Sequence, residues 1–166
     1  ISFGSGFHPK DFLLAPDNFQ NRKEEMFKSI QTIQRLWQGD HNHGLSEGGD
    51  KVSVKMFPTP YSRDLPIWLS TTRSKDTFRE AGELGSNVLT ALLRLTVPEL
   101  RERIVIYREA LQQAGHDPEK GIVTVMLHTF VGPDMNVVSS QVERPMKDYL
   151  LSHMEHTLEV STEKAK

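Results

Sequence analysis

Leu65-Pro66-Ile67-Trp68-Leu69, then Ser70-Thr71-Thr72-Arg73-Ser74, then a helical stretch closed by Gly85, then Asn87-Val88-Leu89-Thr90: this stretch decides the fold class. Residues 66–69 are apolar without polar alternation, the pattern of a parallel strand buried on both faces. The polar loop 70–74 leads into a helix on which Phe78, Ala81 and Leu84 share a face. Gly85 ends that helix in a left-handed conformation. Residues 87–92 form the next strand. Strand, helix and strand in so short a span predict parallel strands joined by a right-handed crossover.

The same unit recurs outward in both directions. Upstream, residues 1–4 read as a strand, residues 5–9 as a loop and residues 21–37 as a helix. Met26, Ile30, Ile33 and Trp37 form its apolar stripe, which is core rather than a cofactor box. Residues 39–51 read as an exposed loop, and the alternation of Val52, Val54 and Met56 as a short strand or hairpin arm. Downstream, Thr96-Val97-Pro98-Glu99 is a capping-box pattern with proline just inside the helix. Leu100, Ile104, Tyr107, Leu111 and Ala114 mark its buried face, and Gly115 stops it. Residues 122–129 give a fourth strand, and Gly132-Pro133-Asp134 a turn in which Asp134 caps the last helix. Val138, Val142, Met146 and Tyr149 line that helix, with a kink expected at Pro145. One domain is expected over residues 1–160, with a frayed, charged tail over residues 161–166.

Four βα units suit two α/β architectures. One is a small doubly wound sheet. The other is half of an eight-stranded barrel, a fold that typically needs about 250 residues. The chain opens on Ile1-Ser2-Phe3-Gly4, without an initiating Met or a charged leader, so missing upstream sequence is expected.

Composition narrows the function classes. The chain has 166 residues, 37% hydrophobic and 25% charged, within the ordinary globular range. A formal net charge of −2 leaves no basic excess for a phosphate backbone, so nucleic acid is not an expected partner. No apolar run approaches the roughly 20 residues of a membrane span. The absence of cysteine excludes disulfides and thiolate metal sites, and a cytoplasmic location is expected.

Several segments, taken together and in order, carry a resemblance. They are Phe3-Gly4-Ser5-Gly6-Phe7-His8-Pro9-Lys10-Asp11-Phe12, Ala15-Pro16-Asp17-Asn18-Phe19 and Asn21-Arg22-Lys23-Glu24. Leu65-Pro66-Ile67-Trp68-Leu69 follows, then Phe78-Arg79-Glu80-Ala81-Gly82-Glu83-Leu84-Gly85-Ser86-Asn87-Val88-Leu89-Thr90. Tyr107-Arg108-Glu109-Ala110 and Met126-Leu127-His128-Thr129-Phe130-Val131-Gly132 complete the set. The chain resembles the luciferase-like, flavin-dependent monooxygenases, in the branch associated with polyketide and non-ribosomal peptide synthases. The resemblance implies the C-terminal half of a (β/α)8 TIM barrel. It also implies reduced flavin mononucleotide (FMN) as cofactor, dioxygen as oxidant and a small organic or carrier-protein-bound substrate. A related subgroup uses the deazaflavin F420, which is the second choice of cofactor. Two departures stand out. Ser70-Thr71-Thr72-Arg73-Ser74 replaces a short Ala/Gly-rich turn, and Leu92-Leu93-Arg94-Leu95 replaces a frequent Gly-Gln pair.

In such a barrel, functional groups lie on the loops after the strands. A flavin phosphate needs main-chain N–H groups, hydroxyls or a cation at a helix N-terminus. Ser70, Thr71, Thr72, Arg73 and Ser74 match that need, and plain N-capping by Ser74 beside a solvated Arg73 is the competing reading. Ser5 and Gly6 bring main chain close to the cofactor, or form an ordinary tight turn. His8 and His128 are the candidate catalytic residues, each also readable as a structural histidine. Asp40, His41 and His43 lack a further ligand, so no metal is expected. His153 and His156 read as a solvated face, and Trp68 as packing. The alternative to an enzyme is a non-catalytic truncated half-barrel or scaffold, whose open edges and apolar face favour homo-oligomers.

Overall fold

The computed structural model describes residues 1–163. Its elements are β1 (Ser2–Phe3), a 3-10 turn (Pro9–Phe12), α1 (Asn18–Trp37), β2 (Asn42–Leu45), β3 (Lys51–Val54), β4 (Trp68–Ser70) and α2 (Lys75–Glu83). They continue with β5 (Asn87–Ala91), α3 (Val97–Gln113), β6 (Val123–Met126) and α4 (Met135–Glu163). Two units divide the chain, one from Ile1 to Met126 and one beginning at Leu127. The tail expected over residues 161–166 overlaps the end of α4. Residues 164–166 lie outside the described residues, as do the side chains of His153 and His156. No helix among the described residues is long and apolar enough to cross a membrane.

In the first unit, β1, β4, β5 and β6 form one parallel sheet in that order. Each strand is added beside the last, always in the same direction. A doubly wound sheet reverses its strand order partway and places helices on both faces. In the first unit the strand order does not reverse and α1, α2 and α3 contribute to one common core, so that alternative gives way to the barrel-type arrangement.

Strand alternation sorts the side chains. Leu69 and Val88 face the helices and join Ile30, Ile67, Phe78, Ala81, Leu100, Tyr107 and Leu111 in one core, with Phe3, Val123 and Val125 packed against it. The opposite face carries Ser2, Trp68, Ser70, Leu89, Thr124 and Met126. There Ser2 and Ser70 share a 2.7 Å hydroxyl–hydroxyl hydrogen bond, and the Trp68 indole N–H donates to Thr124 Oγ1 at 3.1 Å. Trp68 and Leu89 are half-buried, while Ser70, Thr124 and Met126 are exposed.

Three local expectations change. The fourth strand, read over residues 122–129, spans only Val123–Met126 and leaves His128 outside it. Residues 42–45, read as loop, pair antiparallel with residues 51–54 as a hairpin in which both strands are exposed throughout. On α3 the buried set is Leu100, Arg103, Tyr107, Ala110 and Leu111, while Ala114 is the exposed C-cap. The helix stops hold, with Gly85 at φ +68° and Gly115 at φ +82°. Gly82 lets α2 and α3 touch. A Cβ there would lie 2.6 Å from the Tyr107 carbonyl oxygen and 2.7 Å from Ala110 Cβ.

In the second unit, Asp134 Oδ1 accepts from Asn136 N at 2.7 Å at the start of α4, the expected cap. Pro145 lies inside this helix.

Candidate functional site

The loop after β1 is shaped by Gly6. Its φ is +79°, and the Phe12 ring lies where a Cβ would stand, 2.7 Å from the nearest ring atoms. Only glycine fits both demands at no cost. His8, which is buried, caps the 3-10 turn. Its Nδ1 accepts from Lys10 N at 3.1 Å, and its own N–H donates to Asp11 Oδ2 at 3.0 Å. The N–H groups of His8 and, more weakly, Phe7 hold the Asp11 carboxyl below its ordinary pKa. The capping geometry fixes the imidazole in one orientation. Ser5 is half-buried in the same loop.

The loop after β4 is built from the adjacent strand. A Cβ on Gly4 would stand 3.6 Å from Ser70 Cβ, so the loops after β1 and β4 emerge side by side at one end of the sheet. Ser70 bonds back to Ser2, and Thr71 N donates to the Leu89 carbonyl at 3.0 Å. Thr71 and Thr72 are half-buried, and Arg73 is exposed. Ser74 is the N-cap of α2, with its hydroxyl accepting from Thr77 N at 3.2 Å. The capping reading of Ser74 therefore holds, and Ser70, Thr71, Thr72 and Arg73 stand just ahead of this helix in the chain.

The loop after β5 leads to a complete capping box. Thr96 Oγ1 accepts from Glu99 N, and Glu99 Oε2 accepts from Thr96 N at 2.8 Å. The hydrogen bonds from Thr96, main-chain then side-chain, lower the Glu99 pKa, and the charges of Arg103 and Arg73 add to this.

Arg103 escaped the sequence reading. It is 6% exposed, and its guanidinium donates to the main-chain carbonyl of Arg73 at 3.0 Å and to that of Glu99 at 2.8 Å. Spacing on α3 places it one turn from Tyr107, so a buried position was readable. Its carbonyl partners were not, because one comes from a loop 30 residues away.

His128 belongs to the second unit. It is exposed, and its ring lies tilted against Tyr149 with centroids 4.8 Å apart. Both residues line a mostly apolar pocket of ≈ 500 Å³ with Phe130, Val138, Val142, Pro145 and Met146. His41 and His43 stack on the β2–β3 hairpin with centroids 6.3 Å apart, and His41 Nδ1 bonds to Ser53 Oγ at 2.9 Å. Among the described residues no group of three or more His, Asp or Glu side chains comes together as a metal site.

The sequence profile of the luciferase-like monooxygenases matches residues 1–166. No curated protein matches the sequence. Among solved structures, monooxygenase RslO1 from Streptomyces bottropensis superposes with a TM-score of 0.73 at 17% identity, over 92% of this chain and 47% of that one. The oxygenating constituent of 3,6-diketocamphane monooxygenase from Pseudomonas putida, solved in complex with FMN, gives 0.56 at 16% identity, over 74% and 38%. An F420-dependent secondary alcohol dehydrogenase, solved with an F420-acetone adduct, gives 0.54 at 16% identity, over 75% and 38%. The chain spans less than half the length of each of these structures. At such identities the likeness speaks for the fold, which is α/β with four βα units of a (β/α)8 barrel. The family itself is set by the profile match along the whole chain: this protein belongs to the luciferase-like monooxygenases.

Proposed function

We propose that residues 1–160 form the C-terminal half of a flavin-dependent monooxygenase domain. In this reading it works with reduced FMN and dioxygen on an organic, carrier-bound biosynthetic intermediate. The observation that carries this reading is the loop after β4. Ser70 ends a parallel strand, and Thr71, Thr72, Arg73 and Ser74 lead from it directly into the N-terminus of α2. That donor set suits a phosphate monoester. Asp76 in the first turn of α2 opposes an anion, but its carboxylate is paired with Arg79 at 2.9 Å. FMN is preferred over F420 because the sequence motifs stand closer to the FMN branch.

Reduced flavin supplies the activation of dioxygen when bound. The chain's own part is to bind, orient and shield. Ser5 and Gly6 bring main chain to the site from the neighbouring loop. His8, fixed by its capping bonds in the first unit, and His128, beside the apolar pocket of the second, are the candidate catalytic residues, each within its own unit.

The test is a titration of the chain with FMN and with riboflavin, comparing wild type with Arg73→Ala. Loss of one guanidinium–phosphate contact weakens FMN roughly tenfold or more and leaves riboflavin unchanged. Equal weakening of both ligands removes Arg73 from the phosphate site. The second reading is a non-catalytic scaffold that pairs with itself. It is favoured by the exposed sheet face around Met126, and failure of both ligands to bind would support it.

A further inference from the structure

We infer that Arg103 is the positioning residue of the loop after β4, setting where Arg73 and its neighbouring hydroxyls stand; this rests on the phosphate reading of that loop. A buried arginine normally answers a carboxylate. The guanidinium of Arg103 lies 3.9 Å from Glu102, whose carboxylate is already held by Lys75 at 2.6 Å. Its strong, short bonds go instead to two main-chain carbonyls, those of Arg73 and Glu99. The first belongs to the loop after β4. The second lies in the first turn of α3, after the loop that follows β5. One rigid, planar group thus ties the loop after β4 to the first turn of α3, which the compact ammonium of a lysine does not reproduce.

The consequence for Arg73 is direct. Its carbonyl is held by Arg103, and the next residue, Ser74, is held by its capping bond to Thr77. Two consecutive anchors fix the backbone from which the exposed Arg73 side chain projects. Glu99 lies within electrostatic reach of both guanidiniums. The two arginines therefore occupy one neighbourhood, with the buried one placing the exposed one.

Arg73 also supplies the readout, because trypsin cleaves after arginine and the carbonyl that Arg103 grips is that of the Arg73–Ser74 bond. The full chain is compared as wild type, Arg103→Met and Arg103→Lys. One measurement is binding of FMN and riboflavin. The other is the rate of tryptic cleavage at Arg73 relative to Lys51 in the exposed hairpin. Loss of the charge-assisted bond in Arg103→Met raises relative cleavage at Arg73 roughly tenfold and lowers FMN affinity by a similar factor, with riboflavin unchanged. Arg103→Lys restores part of both effects. A merely structural arginine would instead weaken both ligands together and raise cleavage at Lys51 and Arg73 alike, which overturns the inference. So does wild-type behaviour of Arg103→Met in both measurements. If wild type itself does not distinguish FMN from riboflavin, the phosphate reading fails. The cleavage ratio then decides alone: a rise at Arg73 supports the positioning role, and no rise overturns it.

Discussion

The phenol of Tyr107 donates a 2.8 Å hydrogen bond to the main-chain carbonyl of Ser86, tying the middle of α3 to the residue just before β5. Both residues are buried, so the carbonyl has no easy recourse to water. Tyr107→Phe keeps the ring and strands the carbonyl, and should lower stability by about 1–3 kcal/mol in urea unfolding. Burial also raises the Tyr107 pKa above 10.0. Its contribution is then fully present below the ordinary tyrosine pKa and is lost as pH rises through the raised value. A Phe variant as stable as wild type at neutral pH would show that the bond contributes nothing.

Gly82 makes a second prediction from the same interface. A methyl group there meets main-chain atoms of α3, the Tyr107 oxygen at 2.6 Å and the Leu111 nitrogen at 2.8 Å. Main chain cannot rotate aside as a side chain can. Gly82→Ala should therefore cost about 1–3 kcal/mol by overpacking, despite the better helix propensity of alanine. A rise in the midpoint of thermal unfolding would refute the close approach.

The capping box of α3 predicts an acid dependence. Hydrogen bonds from Thr96 hold the Glu99 pKa below its ordinary value of 4.5. The stability it contributes is present above that ordinary value and disappears as pH falls through the depressed one. Melting temperatures of wild type and Glu99→Gln, followed from neutral pH into acid, should converge at the acid end. Parallel curves would mean that the carboxylate has no special role in the folded state.

The sheet face opposite the core predicts association. Met126 is 53% exposed there, in register with Ala91 of β5. Exposed apolar surface beside an open strand edge drives pairing. Sizing chromatography should show concentration-dependent self-association of wild type, and Met126→Lys should reduce it. A wild-type chain that elutes as a monomer at every concentration would rule this out.

Residues that act through near neighbours were the legible ones. The Thr96–Glu99 box, the Asp134 cap and the stops at Gly85 and Gly115 each rest on contacts within a few positions, which spacing alone reveals. The apolar runs at residues 66–69 and 87–92 marked β4 and β5 to within two residues, because strands buried in a parallel sheet have little polar alternation. The β2 arm, residues 42–45, escaped notice for the opposite reason: it is polar, exposed and without a buried face to impose a pattern. Strand order was open between two architectures, since parallel pairing is decided by packing between distant segments. In the candidate site, the hydroxyls of residues 70–74 were visible as a composition, whereas Arg103 was not, because its partners are main-chain carbonyls that carry no residue identity.

Asn87 shows how the molecule divides its labour. Its side-chain oxygen accepts the Ile122 N–H at 3.0 Å, standing in for a main-chain partner just before β6 begins. A slip of one strand past the other would break that bond, so a side chain at the entry end of the sheet adds to the main-chain pairing in fixing the alignment of β5 and β6. The Tyr107–Ser86 bond and the close packing of Gly121 against Tyr107 lie at the same end. The loops that bear Ser5 and Arg73 leave from the opposite end. The contacts that align β5 with β6 therefore lie apart from the loops after β1 and β4.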